Sequence, residues 1–116
     1  MTARFDIHAG QDRPIRRTAR GIWAEVGSAE TYHRVLATEL PALLKKSRPG
    51  LVQLLAGVDC FEHDDVGAIP GMDARQLASR DRLVLRLLSE AAVPTVVSLA
   101  GGYSTEAIDL HLETGD

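Results

Sequence analysis

The sequence predicts an α/β fold, a parallel sheet with helices on both faces. Three observations lead there. From Ala29 onward, helical and strand patterns alternate in the order helix, strand, helix, strand, helix. The two strand candidates are short, nearly continuous apolar runs, as expected of parallel strands buried on both faces. Alternation of this kind is joined by right-handed crossovers that lay helices over the sheet.

Each element has its own justification. Residues 1–27 are weakly patterned, and Ala3 to Ile7 is a strand candidate there. Arg4, Arg13, Arg16, Arg17 and Arg20 crowd this stretch and read as a solvated or partner-facing segment. Asp6 and Asp12 argue against a transit peptide. Tyr32, Val35, Leu36, Leu40, Leu43 and Leu44 then recur at helical spacing from Ala29 to Lys46. Ser28 is a favourable N-cap, and Glu30 sits where the helix dipole favours an acid. Pro41 is expected to kink this helix, and Pro49–Gly50 to stop it.

Leu51 to Ala56 reads as a strand buried on both faces. Gly57 to Gly71 is a long loop rich in glycine and proline, with the acids Asp59, Glu62, Asp64 and Asp65. Loops of that length are often functional. Asp73 and Gln76 resemble a capping box for a second helix, on which Leu77, Val84, Leu85, Leu88 and Ala92 form the apolar stripe. Asp81 falls on the same stripe, and a buried carboxylate needs a partner, for which an arginine or a capped backbone is expected. Thr95 to Leu99 is a second buried strand, rich in β-branched residues. Ser104 can cap a last helix carrying Ala107, Ile108 and Leu112.

Composition bounds the function. The chain has 116 residues, 45% hydrophobic and 25% charged, which suits one globular domain. A formal net charge of −3 lacks the basic footprint of a dedicated nucleic-acid binder. No apolar run approaches the ~18 residues of a membrane span, and no signal-peptide core is visible. The lone Cys60 points to a reducing, cytoplasmic setting.

In open parallel sheets, ligands bind at the carboxyl ends of the strands. Asp59 follows the first strand and Tyr103 the second, so both are candidates for a shared crevice. A carboxylate there can ligate a divalent metal, and a tyrosine hydroxyl can donate to a developing oxyanion. Gly101 and Gly102 would allow close backbone approach. The plainer alternatives are a turn or cap role for Asp59 and a turn role for the two glycines.

Leu51 to Tyr103 resembles the carboxyl-terminal half of the histone deacetylase superfamily. The matching segments are Ala56-Gly57-Val58-Asp59-Cys60, Asp64-Asp65-Val66-Gly67, Gly71-Met72, Leu77-Ala78-Ser79-Arg80-Asp81 and Val93 to Ser104. The resemblance implies an arginase/deacetylase-like α/β fold, present as a single partial domain over residues 1–116. Residues 28–116 would form the carboxyl-terminal part of the family domain. It also implies roles: Asp59 as a ligand of the catalytic zinc, Tyr103 as the hydrogen-bond donor to the substrate carbonyl, and Gly101 and Gly102 as lining of the acyl channel.

Family members further use a His-His pair as general base and acid, and an Asp-x-His pair on the metal. This sequence has four histidines, His8, His33, His63 and His111, none adjacent to another. Asp6-Ile7-His8 has the spacing of the metal pair. Its distance to Pro14 better suits a later strand that ends in Ser-x-His in the family. His33 and His111 read as surface or packing histidines, and His63 as a solvated loop histidine.

The expectation is a carboxyl-terminal piece of a zinc-dependent deacetylase acting on acetyl-lysine, acetylpolyamine or a related acetamide. Zinc belongs to the complete family domain; the chain alone is expected neither to bind it nor to be active. Two alternatives stand beside it. One is a non-catalytic, self-associating interaction protein. The other is one chain of a split enzyme, completed by a complementing chain. No nucleic-acid or membrane partner is expected.

Overall fold

The computed structural model describes residues 3–57, 60–63 and 67–100. In chain order these form β1 (Arg4–Ala9), β2 (Arg16–Thr18), β3 (Gly21–Val26), α1 (Ala29–Ser47), β4 (Val52–Gly57), α2 (Ala74–Glu90) and β5 (Thr95–Ala100). The class is α/β, as expected. The strand candidate at Ala3–Ile7 corresponds to β1, whereas β2 and β3 had no clear signature. The candidate helix after Ser104 lies outside the described residues.

The strands form two sheets rather than one. In the first, of order β1-β3-β2, β1 runs parallel to β3 and β2 antiparallel to it. In the second, β4 and β5 pair in parallel, with Val52 opposite Thr95 and Gly57 opposite Ala100. Gly21 marks the close approach of β1 to β3, because a Cβ there would collide with the Arg4 carbonyl oxygen.

Helix α1 begins where its cap predicts. The Ser28 Oγ accepts the Thr31 N–H at 3.2 Å. Pro41 lies inside the helix, which nevertheless runs unbroken from Ala29 to Ser47. The helix ends at Arg48, which turns to φ 44° and donates its N–H to the Leu44 carbonyl. Helix α2 begins with the Asp73 Oδ1 accepting the Gln76 N–H at 2.8 Å.

The core lies between these elements. Ala24 and Val26 of β3, Tyr32, Val35 and Leu36 of α1, and Leu77, Val84 and Leu88 of α2 are all buried in it. The loop before α2 contributes the fully buried Ile69 and Met72. That loop is tied down by its backbone. Ile69 donates to the Cys60 carbonyl, Glu62 to the Met72 carbonyl, and Ala29 to the Pro70 carbonyl. Gly71 sits at φ +83°, a conformation that L side chains rarely adopt.

Two packing expectations differ from what is found. The strands β4 and β5 were expected to be buried on both faces. Val52 and Leu54 do pack against the core. On the other side, Leu51 is 62%, Leu55 60% and Val96 51% exposed, turned away from the core by period-two alternation and not covered. Val97, on the same face as its partner Leu54, is still 48% exposed. On α2, Leu85 is exposed rather than in the stripe, and Arg80 and Asp81 take buried places beside Leu77 and Val84. No helix among the described residues is long and apolar enough to cross a membrane.

Candidate functional site

The carboxyl ends of β4 and β5 stand side by side, because Gly57 pairs with Ala100 in register. Asp59 follows Gly57 by two positions and Tyr103 follows Ala100 by three. Asp59, Gly101, Gly102 and Tyr103 themselves lie outside the described residues.

Cys60, the neighbour of Asp59, is buried and held by a polar cluster that the sequence only partly announces. The Arg80 Nη1 donates to the Cys60 Sγ at 3.2 Å. The Arg80 Nε donates to the Asp81 Oδ1 at 2.9 Å, and Nη2 approaches the same oxygen at 2.9 Å. Asp81 thus finds the arginine partner expected for a buried carboxylate. Its Oδ2 is buried without a hydrogen-bond partner among the described residues.

The electrostatics follow from burial and neighbours. Desolvation is the largest influence on the Arg80 guanidinium and acts to lower its pKa. Tyr32, Cys60 and Asp81 together outweigh it and hold the group above its ordinary value. Burial pushes the Tyr32 hydroxyl up to about 12, against a smaller opposing pull from Arg80. Sequence reasoning missed Arg80 and Tyr32 as members of one cluster. The available signal was Asp81 on the apolar stripe, with an arginine one position before it.

The Asp6-Ile7-His8 segment lies on β1. His8 Nδ1 is 3.8 Å from the Asp6 carboxylate, and His8 Nε2 is 3.8 Å from the Glu25 carboxylate. Glu25 also accepts the Gln11 N–H at 3.0 Å and the Arg13 Nε at 2.9 Å. The Gln11 hydrogen bond, then Arg13, hold its carboxyl below the usual carboxylate range. His63 is exposed, with its ring edge-on to Phe61 at 5.3 Å.

Among the described residues, no group of three or more His, Cys, Asp or Glu side chains is placed to hold a metal ion. A catalytic zinc takes three protein ligands. The described residues therefore do not by themselves make a zinc site.

The parallel β4–β5 pair, with α1 and α2 beside the strands, makes this an α/β protein compatible with a partial domain of the arginase/deacetylase type. Residues 8–114 match the histone deacetylase domain, and the chain belongs to that family. It is also similar to an uncharacterized protein of Picosynechococcus sp., with 37% identity over 79 residues. That match covers 68% of this chain and 26% of the cyanobacterial protein. The chain thus spans about a quarter of that relative.

Proposed function

We propose that the chain supplies the carboxyl-terminal part of a zinc-dependent deacetylase that hydrolyses an acetamide, either acetyl-lysine or an acetylpolyamine. The observation that carries this is the register of β4 and β5, which starts the segments of Asp59 and Tyr103 from adjacent strand ends. Ligand sites of parallel sheets lie at that edge.

In this reading Tyr103 donates its hydroxyl proton in a hydrogen bond to the substrate carbonyl oxygen. Negative charge develops there as the amide is attacked, so the bond strengthens toward the transition state. Asp59 is the carboxylate offered to the metal. Gly101 and Gly102 line the acyl channel, where the absence of side chains admits the substrate. Arg80 is a positioning residue that anchors Cys60, the residue next after Asp59 in the chain.

The four histidines of the chain do not form a His-His base. Activity therefore depends on residues supplied from elsewhere, and the chain alone is inactive. The exposed apolar side of β4 and β5 favours a second reading, in which the chain is one part of a split enzyme or a non-catalytic interaction module.

The test measures zinc content and hydrolysis of an acetyl-lysine peptide and of an acetylpolyamine, with and without a complementing chain. The complement is the part of the Picosynechococcus protein outside the match. Activity and zinc are expected only in the mixture. Tyr103→Phe in the mixture is expected to lower kcat by about 100-fold or more, as loss of an oxyanion donor does. Unchanged turnover in that variant would remove the role assigned to Tyr103.

A further inference from the structure

Five arginines crowd residues 4–20, and the first sheet sorts them. Cross-strand register puts Arg4, Gly21 and Thr18 in one row and Asp6, Trp23 and Arg16 in the next. Side chains two residues apart on a strand share a face, so both rows lie on one face of the sheet. The opposite face carries Ile22 and Ala24 into the core. Two of the arginines have carboxylates of their own: Arg13 meets Glu25 at 2.9 Å and Arg17 meets Glu39 at 2.6 Å. Arg4, Arg16 and Arg20 are exposed and form no ion pair among the described residues.

Arg16 is the best prepared of the three. Its guanidinium carbon lies over the Trp23 ring, 5.3 Å from the centroid. Contact with the indole orients the planar guanidinium. None of its N–H groups is taken by another described residue, so its donor fork is free to grip a carboxylate.

Beside it lies an open strand edge, because β2 is the outer strand of the order β1-β3-β2. The Arg20 and Val26 carbonyls accept the N–H groups of Arg4 and Gly10 on the β1 side, at 2.9 Å each. The period of two then turns the backbone groups of Gly21 and Trp23 toward β2. Their partners Thr18 and Arg16 direct theirs back at β3, and Arg17 between them directs its N–H and C=O outward. A strand added at this edge would hydrogen-bond Arg17. Its residues opposite Arg16 and Thr18 would take non-hydrogen-bonded positions, where facing side chains are closest. Those side chains would stand on the Trp23 face.

We propose that the outer edge of β2 docks an extended acidic segment of a partner protein, which pairs its backbone with Arg17 and sets a carboxylate on the Arg16 guanidinium. The unpaired charge on this face is positive, so its complement is acidic. Arg16 lies over Trp23, where a nucleic-acid base would otherwise stack. The open edge offers backbone pairing of a kind that a peptide strand uses. Tryptophan and arginine are the residues that most often anchor protein interfaces. A second copy of β2 is disfavoured, because it would set arginine beside arginine. Charge on an edge strand blocks pairing with its own kind, and the same charge selects an opposite one. None of this depends on the deacetylase reading.

The probe is a synthetic peptide of about eight residues, alternating glutamate and threonine, with blocked ends. It is added to the full chain, and affinity and amide hydrogen exchange are measured. The peptide is expected to protect the Arg17 amide, and its binding to weaken as salt rises. A peptide with glutamine in place of glutamate is expected to bind at least about tenfold more weakly. Arg16→Gln should cause a similar loss, and Arg16→Lys should restore part of it, since an ammonium lacks the planar fork. Arg86→Gln, on the exposed side of α2, is expected to leave binding unchanged. No protection of Arg17, or equal binding of the glutamine peptide, would overturn the proposal. So would an Arg17 amide already protected in the free chain, which would mean that the chain itself or a second copy takes the edge. Tighter binding of an oligothymidylate of equal length would assign the face to nucleic acid instead and equally overturn it.

Discussion

The Arg80–Asp81 pair concentrates the largest energies at single positions. Both side chains are about nine-tenths buried, and they meet at 2.9 Å. Such a pair contributes little net stability against an apolar replacement, but losing one partner leaves a buried charge uncompensated. Asp81→Asn is therefore expected to cost about 3–5 kcal/mol in denaturant unfolding. Tyr32 provides a pH signature of the same cluster. Burial raises its folded-state pKa to about 12, so the folded chain holds the proton more tightly than the unfolded one. The associated stability is present below about pH 10 and is lost as pH rises to about 12, a loss of roughly 3 kcal/mol. Unfolding curves measured across that range should slope downward, and Tyr32→Phe should remove that part of the slope. Sequence periodicity could mark Asp81 as buried, because it falls on an apolar stripe. It could not show that Cys60 and Tyr32 meet Arg80, because those contacts join residues distant in the chain.

The elements are governed by their ends. Ser28 and Asp73 each satisfy an orphan N–H of a first helical turn, at 3.2 and 2.8 Å. Ser28→Ala and Asp73→Ala are each expected to cost about 1 kcal/mol, measured by thermal or denaturant unfolding. Both caps were legible because capping is local: the side chain and the amide it accepts are three residues apart. Pro41 shows where local rules lose. A proline in a helix interior removes one hydrogen bond, yet α1 persists through it, with Tyr32, Val35, Leu36 and Glu39 buried before that position. Tertiary burial outweighs the local penalty. The short β2 had no apolar pattern to announce it. Its three residues are exposed, and it is held by pairing with β3 and by the Arg17–Glu39 ion pair at 2.6 Å.

Across the whole molecule, an incompletely covered pair of strands is the dominant feature. Leu51, Leu55, Val96 and Val97 present apolar surface on β4 and β5. A hydrophobic dye is expected to bind there. Leu55→Lys and Val96→Lys should lower its fluorescence while changing unfolding stability by no more than about 0.5 kcal/mol, since these side chains are already exposed. The α/β class, the two capped helices, the apolar strands and the family were determined by the sequence, because periodicity, capping and motif order are properties of neighbours along the chain. The tertiary structure alone decided that the strands form two sheets, that β4 aligns Gly57 with Ala100, and that the outer edge of β2 stays open beside Arg16. Register and edge pairing depend on which backbones meet in space. An apolar run looks the same whether its second face is covered or bare.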